Sequence, residues 1–161
     1  MGIVEGLQQG LGEPIGLIYL DAHGDFNTPE TTPSGLIGGM DVAVLAGRGP
    51  DLLTNIFGHK PQLHEEQIAI FGARDLDPPE QEMLKESKVN IYKVRELGPE
   101  HAMMEATEKL LRVTRRIYVH IDIDVLDPNE MEAIHMPVPD GLGLSECANA
   151  LKVVSREDYA D

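Results

Sequence analysis

Ile15-Gly16-Leu17-Ile18-Tyr19-Leu20 is an almost unbroken apolar run of strand length, and it leads straight into Asp21-Ala22-His23-Gly24-Asp25. A strand with one wet face alternates apolar and polar residues. A continuous run therefore predicts burial on both faces, the pattern of a parallel sheet covered by helices above and below. Gln67–Gly72, Val89–Tyr92 and Arg116–Asp122 read as three further strands. Helical segments lie between them. Ile3–Leu11 places Ile3, Val4, Leu7 and Leu11 on one side and ends at Gly12-Glu13-Pro14. Met40–Leu45 is a short helix, and Pro79–Ser87 opens on a proline suited to a first turn. Pro99–Val113 carries Ala102, Met103, Ala106, Leu110 and Val113 at helical spacing, and Ser145 is placed to cap Ser145–Val154. Strands alternating with helices give βαβ units and a mainly parallel sheet, an α/β fold in one domain over residues 1–161. The chain starts and stops abruptly against that pattern and reads as a piece of a larger α/β domain.

Composition narrows the partners. Hydrophobic residues make up 42% but aromatics only 4%, so the core has to be aliphatic. A net charge of -15 makes nucleic acid and anionic membrane surfaces poor partners. No apolar run has the length of a membrane span, and the first residues lack the basic and apolar regions of a signal peptide. Cys147 is the single cysteine, which rules out an internal disulfide and fits a reducing cytoplasm. It sits in a helical segment and reads as a buried small hydrophobe.

The acid excess is mostly soluble surface, but two clusters are spaced for chemistry. In extended chain, residues two apart share a face, so Asp21, His23 and Asp25 point one way and Asp122 and Asp124 do likewise. Ile121 and Ile123 then face the opposite layer. Both clusters end apolar strands, where open parallel sheets bind ligands. On neighbouring strands, four carboxylates and one imidazole converge and repel unless a divalent cation sits among them. Oxygen donors with an imidazole suit Mn²⁺ or a similar ion. Asp21 and Asp122 are able to bridge two such ions, whose shared water would give hydroxide near neutral pH. Taken singly, either Asp-x-Asp is also explained as a turn or helix cap.

These stretches resemble the arginase/agmatinase family of ureohydrolases. Asp21–Pro29 is similar to its Asp-Ala-His-x-Asp segment and Asp122–Pro128 to its Asp-x-Asp-x-x-Asp-Pro segment. Arg74–Glu80 looks like Arg-Asp-x-Asp-Pro-Gly-Glu, and Met136–Leu142 like the Pro-x-x-Gly-Gly-Leu turn. The resemblance implies a three-layer α/β/α fold, incomplete relative to the family, and two Mn²⁺ per chain. It implies that Asp21, Asp25 and Asp122 serve one ion and Asp21, His23, Asp122 and Asp124 the other. A metal-bridging hydroxide would attack the amidine carbon of a linear guanidino or formimino small molecule, with Asp124 accepting a proton. Asn27 and Ser34 would hold a substrate carboxylate, and Asp77 and Glu80 would lie near an α-amino group. A homo-oligomer is also implied. The sequence departs from the family where Leu36 replaces an amide, Gly38 a histidine and Asp140 a glycine, and the family's first metal-site histidine lies upstream of Met1.

Other residues receive plainer readings. His120 shares the face of Asp122 as a packed histidine or a supporting partner of the site, and His135 approaches from a loop. His59, His64 and His101 are solvated. Asp127-Pro128 is a turn, and Asp75 pairs with Arg74 or Arg95. A ureohydrolase, a non-catalytic arginase-like domain and a metal phosphoesterase all remain open at this point.

Overall fold

The structure, a computed structural model, describes residues 1–155, so the last six residues of the expected domain lie outside the described residues. Four strands form one sheet: β1 (Gly16–Leu20), β2 (Ile68–Phe71), β3 (Asn90–Tyr92) and β4 (Ile117–Ile121). Their order is β3-β2-β1-β4, and every neighbouring pair is parallel. β1 lies between β2 and β4, with Leu20 level with Phe71 on one side and Ile121 on the other. All five residues of β1 and all four of β2 are buried, as continuous apolar runs require.

The two faces of the sheet carry separate cores. Ile18, Leu20, Ala69 and Phe71 pack against α6 (Pro99–Leu111), through Ala102, Met103, Ala106 and Leu110, and against α7 (Leu144–Val154), through Cys147, Ala150 and Val153. Leu17, Tyr19, Ile68 and Ile70 face the other way. They meet Val4 of α1 (Gly2–Leu11), Val42 and Leu45 of α2 (Asp41–Leu45), and Leu84 of α4 (Pro78–Glu86). Each fully buried aliphatic side chain contributes roughly 1.5–3 kcal/mol, and the alternation of faces along β1 and β2 is what builds three layers.

Two four-residue helices, α3 (Asp51–Thr54) and α5 (Val94–Leu97), are too short to show a period and were not expected. A 3₁₀ turn, Ile37–Met40, leads into α2. Ser145 does not cap α7. The helix begins at Leu144, and Glu146 reaches back to accept from the Gly143 N–H at 2.8 Å. Val113 lies past the end of α6 and is half exposed. Ile121 and Ile123 do not face a second layer either. They are 47% and 44% exposed, Ile121 at the end of the edge strand and Ile123 in the turn that follows it, where it lines a cavity.

Candidate metal centre

The parallel pairing of β1 with β4 sets the two acidic clusters side by side. The Asp21 N–H donates to Phe71 O at 3.1 Å, and the Asp122 N–H donates to Leu20 O at 2.8 Å. Beyond these residues neither chain stays extended, so the shared face expected from strand parity is not what gathers the side chains. Tight turns do it. Asp25 adopts a left-handed backbone with φ 46, and its carbonyl accepts from the N–H groups of Val42 and Ala43 at the start of α2. Asp122 caps the 3₁₀ turn Ile123–Val125, accepting from the Asp124 N–H at 3.2 Å. Asp124 Oδ1 accepts from the Ala22 N–H at 3.0 Å, which ties one cluster to the other.

The innermost group is Asp21, His23 and Asp124, whose donor atoms all lie within 4.8 Å of one another. His23 Nδ1 stands 3.2 Å from Asp21 Oδ1 and 2.9 Å from Asp124 Oδ2. Both carboxylates are nearly sealed from solvent, at 1% and 4% exposure. Asp25 and Asp122 lie outside this tight set but line the same cavity, of about 830 Å³. Asn27, Ser34, Asp77 and Glu80 line it too, so all nine sequence-predicted site residues border one space.

The electrostatics are those of a site short of positive charge. Burial raises the Asp21 carboxyl, and the nearby Asp124 and Asp122 add to it against hydrogen bonds from His23. Burial, then the charge of Asp21, pushes Asp25 up to about 7 despite the bond it accepts from Tyr19. Hydrogen bonds to Asp124 and Asp21 push His23 up to about 10. Burial acts to raise Asp124 as well, but hydrogen bonds from His23 and the Ala22 N–H outweigh it and hold its carboxyl low. In effect a proton on His23 stands where a cation would relieve the repulsion.

The donor set fits a divalent ion. It offers oxygen and nitrogen with no thiol, and its closest donor pairs are 2.9 and 3.2 Å apart. Two donors at right angles, each about 2.1 Å from an ion, stand about 3 Å apart. Ion binding has to displace the His23 proton and any proton on Asp25. Below about pH 7 both are present, and well above it only the His23 proton remains. Binding of a divalent ion is therefore expected to tighten as pH rises from 5 to 8. It should release a net number of protons near neutral pH, drawn from His23 and Asp25. Titration calorimetry in buffers of differing ionisation enthalpy measures that number, and release of none would mean that neither group gives way to the ion.

The remaining side chains divide the wall of the cavity. Glu80 is buried, accepting from the Phe26 N–H at 2.8 Å and the Asp77 N–H at 3.2 Å. Both its oxygens are thus committed to bracing the loop. Asn27 donates to Asp77 Oδ2 at 2.9 Å. Ser34 lies on an exposed stretch, accepting from the Leu36 N–H at 3.2 Å. Leu36 and Gly38 line the rim nearby, and His135 and Met136 line another part of the wall. His120 borders the cavity and stacks on Tyr19.

Three ionisable wall residues were not anticipated. Asp41 and Tyr19 border the cavity from α2 and β1. Asp75 approaches His23 Nε2 at 4.0 Å, and neither arginine takes it. Arg74 donates to the carbonyls of Asp124 and Val138, both at 2.8 Å, and of Pro139 at 2.9 Å, while Arg95 pairs with Glu146 at 3.0 Å. A buried tyrosine hydroxyl needs a partner, and that was the one signal available for Tyr19.

Comparison with known proteins bears on this site. A model of the arginase family matches residues 1–160. An arginase of Brevibacillus brevis is 37% identical over 147 residues, covering 89% of this chain and 49% of that protein. An N(omega)-hydroxy-L-arginine amidinohydrolase of Streptomyces lavendulae is 35% identical over 78% of this chain and 41% of its own length. The crystal structure of arginase from Bacillus subtilis superimposes with a TM-score of 0.84 at 36% identity, covering 91% of this chain and 50% of that one. The chain spans about half the length of the curated relatives it matches.

Proposed function

The chain belongs to the arginase family, and on that premise we propose that it carries the manganese-binding part of a hydrolase acting on the carbon–nitrogen bond of a linear guanidino or formimino compound. The observation that carries this reading is the meeting of Asp21, His23 and Asp124 at adjacent strand ends, inside a cavity that Asp25 and Asp122 also line. The relatives are arginases and an amidinohydrolase by name, and the fold is that of the B. subtilis arginase structure. Two ions per chain, a homo-oligomer and a cytoplasmic setting belong to the same proposal. No described helix is long and apolar enough to cross a membrane.

Each group has a part in the proposed reaction. Bound divalent ions would lower the pKa of water and polarise the bond to be cleaved. Asp21 and Asp122, at the ends of neighbouring strands, would each serve both ions, Asp25 one of them, and His23 and Asp124 the other. Asp124, whose carboxyl is ionised at neutral pH, would be the group to accept a proton as the amino group departs. Asn27 and Asp77, bonded to each other, and Ser34 on the rim would receive the polar end of the substrate. Glu80 fixes Asp77 and the Phe26 segment in place.

A second reading, a non-catalytic arginase-like module, is favoured by the apolar rim at Leu36 and by Gly38, around which no atom stands within 4 Å of a would-be Cβ. One assay separates the two. The manganese-loaded chain is given arginine, agmatine and formiminoglutamate, and urea or formamide is measured. Release that stops with a chelator and returns with Mn²⁺ supports the hydrolase. Manganese bound without release from any of the three supports the module.

A further inference from the structure

Asp25 is one of the two candidate ligands that the tight set leaves out, and one contact governs its carboxylate. Tyr19 Oη donates to Asp25 Oδ2 at 2.6 Å. The backbone of Asp25 is already fixed, left-handed at φ 46 with its carbonyl held by Val42 and Ala43. What remains free is rotation of the side chain, and the phenol stops it. The phenol itself is held on two sides. Tyr19 is 6% exposed in the core of its face of the sheet, among the residues that include Phe26 and Val42. Its ring stacks on His120, with centroids 4.6 Å apart and planes 12° apart. The stack follows from register, because Tyr19 and His120 are paired neighbours on β1 and β4. His120 is in turn set by Tyr118, edge-on at 6.2 Å with its hydroxyl 3.3 Å from His120 Nδ1.

We propose that Tyr19 is a positioning residue for a second metal position: its hydroxyl fixes Asp25 Oδ2 and leaves Oδ1 to an ion, while the stacked His120 fixes the ring. The inference rests on the metal-binding reading above. A hydrogen bond to a ligating carboxylate orients it, and losing such a partner typically costs 10–100-fold in metal affinity. The selectivity is what marks the role. The phenol makes no hydrogen bond to Asp21, His23 or Asp124, so an ion held by those three would be indifferent to it, whereas one served by Asp25 would depend on it.

Tyr19→Phe removes the hydroxyl and keeps the ring, the stack and the packing. Manganese titration followed by electron paramagnetic resonance reads the two positions separately, because coupled and isolated Mn²⁺ give different spectra. The expected result is a roughly 10–100-fold loss at one position, less than about twofold change at the other, an unchanged melting temperature and a larger isolated-ion signal at sub-saturating metal. In an Asp25→Ala background, which removes the acceptor, the Tyr19→Phe substitution should change nothing further, since the pair is then already broken. Two manganese ions bound equally by wild type and Tyr19→Phe would overturn the inference and leave the metal-binding reading intact. Equal losses at both positions, or a loss that persists undiminished in Asp25→Ala, would overturn it too. Absence of manganese from the wild-type chain would overturn both.

Discussion

Asp21→Asn is expected to abolish stabilisation by manganese while leaving the metal-free protein at least as stable as wild type. Asp21 is 1% exposed and faces Asp124 and Asp122, so its charge is costly in the absence of an ion. Asparagine has the same shape, and its carbonyl oxygen still accepts from the His23 N–H, which now bonds Asp21 Oδ1 at 2.7 Å. Repulsion falls and packing stays. The sign reverses once metal is offered, because the group removed is the carboxylate shared by both proposed positions. Wild type in Mn²⁺ at about 100 times its Kd gains about 2.7 kcal/mol, and the variant should gain nothing measurable. Thermal denaturation with and without Mn²⁺ reads both halves. An ordinary structural aspartate would give the opposite pattern: a drop in metal-free stability and an unchanged response to manganese. Asp122→Asn should follow Asp21→Asn, more weakly in the metal-free comparison because Asp122 is less buried.

Gly141→Ala is expected to cost about 3 kcal/mol or more, the range of severe backbone and packing lesions. A Cβ on Gly141 would overlap the carbonyl group of Leu126 and the nitrogen of Asp127. Those atoms belong to backbone that cannot swing aside. The Asp127 N–H donates to Leu142 O at 2.8 Å and the Leu142 N–H donates to Val125 O at 2.9 Å. Arg74 bolts the same two segments together through the carbonyls of Asp124 and Val138. Pushing them apart strains the segment that follows Asp124, so manganese affinity should fall along with stability. Urea denaturation measures the first and metal titration the second. Gly38→Ala, in open space on the rim, is the control and should stay within about 0.5 kcal/mol. Equal stability of the two variants would mean that the close approach at Gly141 is not what holds the turn.

The sequence exposed the sheet more readily than the site. β1 and β2 are buried on both faces, and such strands have to be continuously apolar, which is how they were recognised. α6 was visible because its buried residues, Ala102, Met103, Ala106 and Leu110, recur at helical spacing. The four residues of α3 and of α5 carry no period at all. At the site, the two acidic strand ends pointed to a cation, and they do lie on neighbouring strands. The route to convergence was hidden. Parity assumes extended chain, whereas the left-handed turn at Asp25 and the 3₁₀ turn after Asp122 bring the side chains in. Arg74 was assigned an acidic partner because charge pairs are what a sequence displays. Its actual partners are backbone carbonyls, which every residue has and none advertises. Tyr19 was hidden in a different way: within an apolar run it reads as core, and only the fold shows that its hydroxyl reaches Asp25.

The central claim is that Asp21, His23 and Asp124 enclose a divalent cation at the edge of the sheet where β1 and β4 end. Crystals grown with manganese, measured at its absorption edge, would test it directly by locating the ion. The account predicts an anomalous peak within bonding distance of Asp21 Oδ1, His23 Nδ1 and Asp124 Oδ2, and a second toward Asp25 and Asp122. Peaks only elsewhere on the acidic surface, with His23 still bonded between its two aspartates, would contradict it.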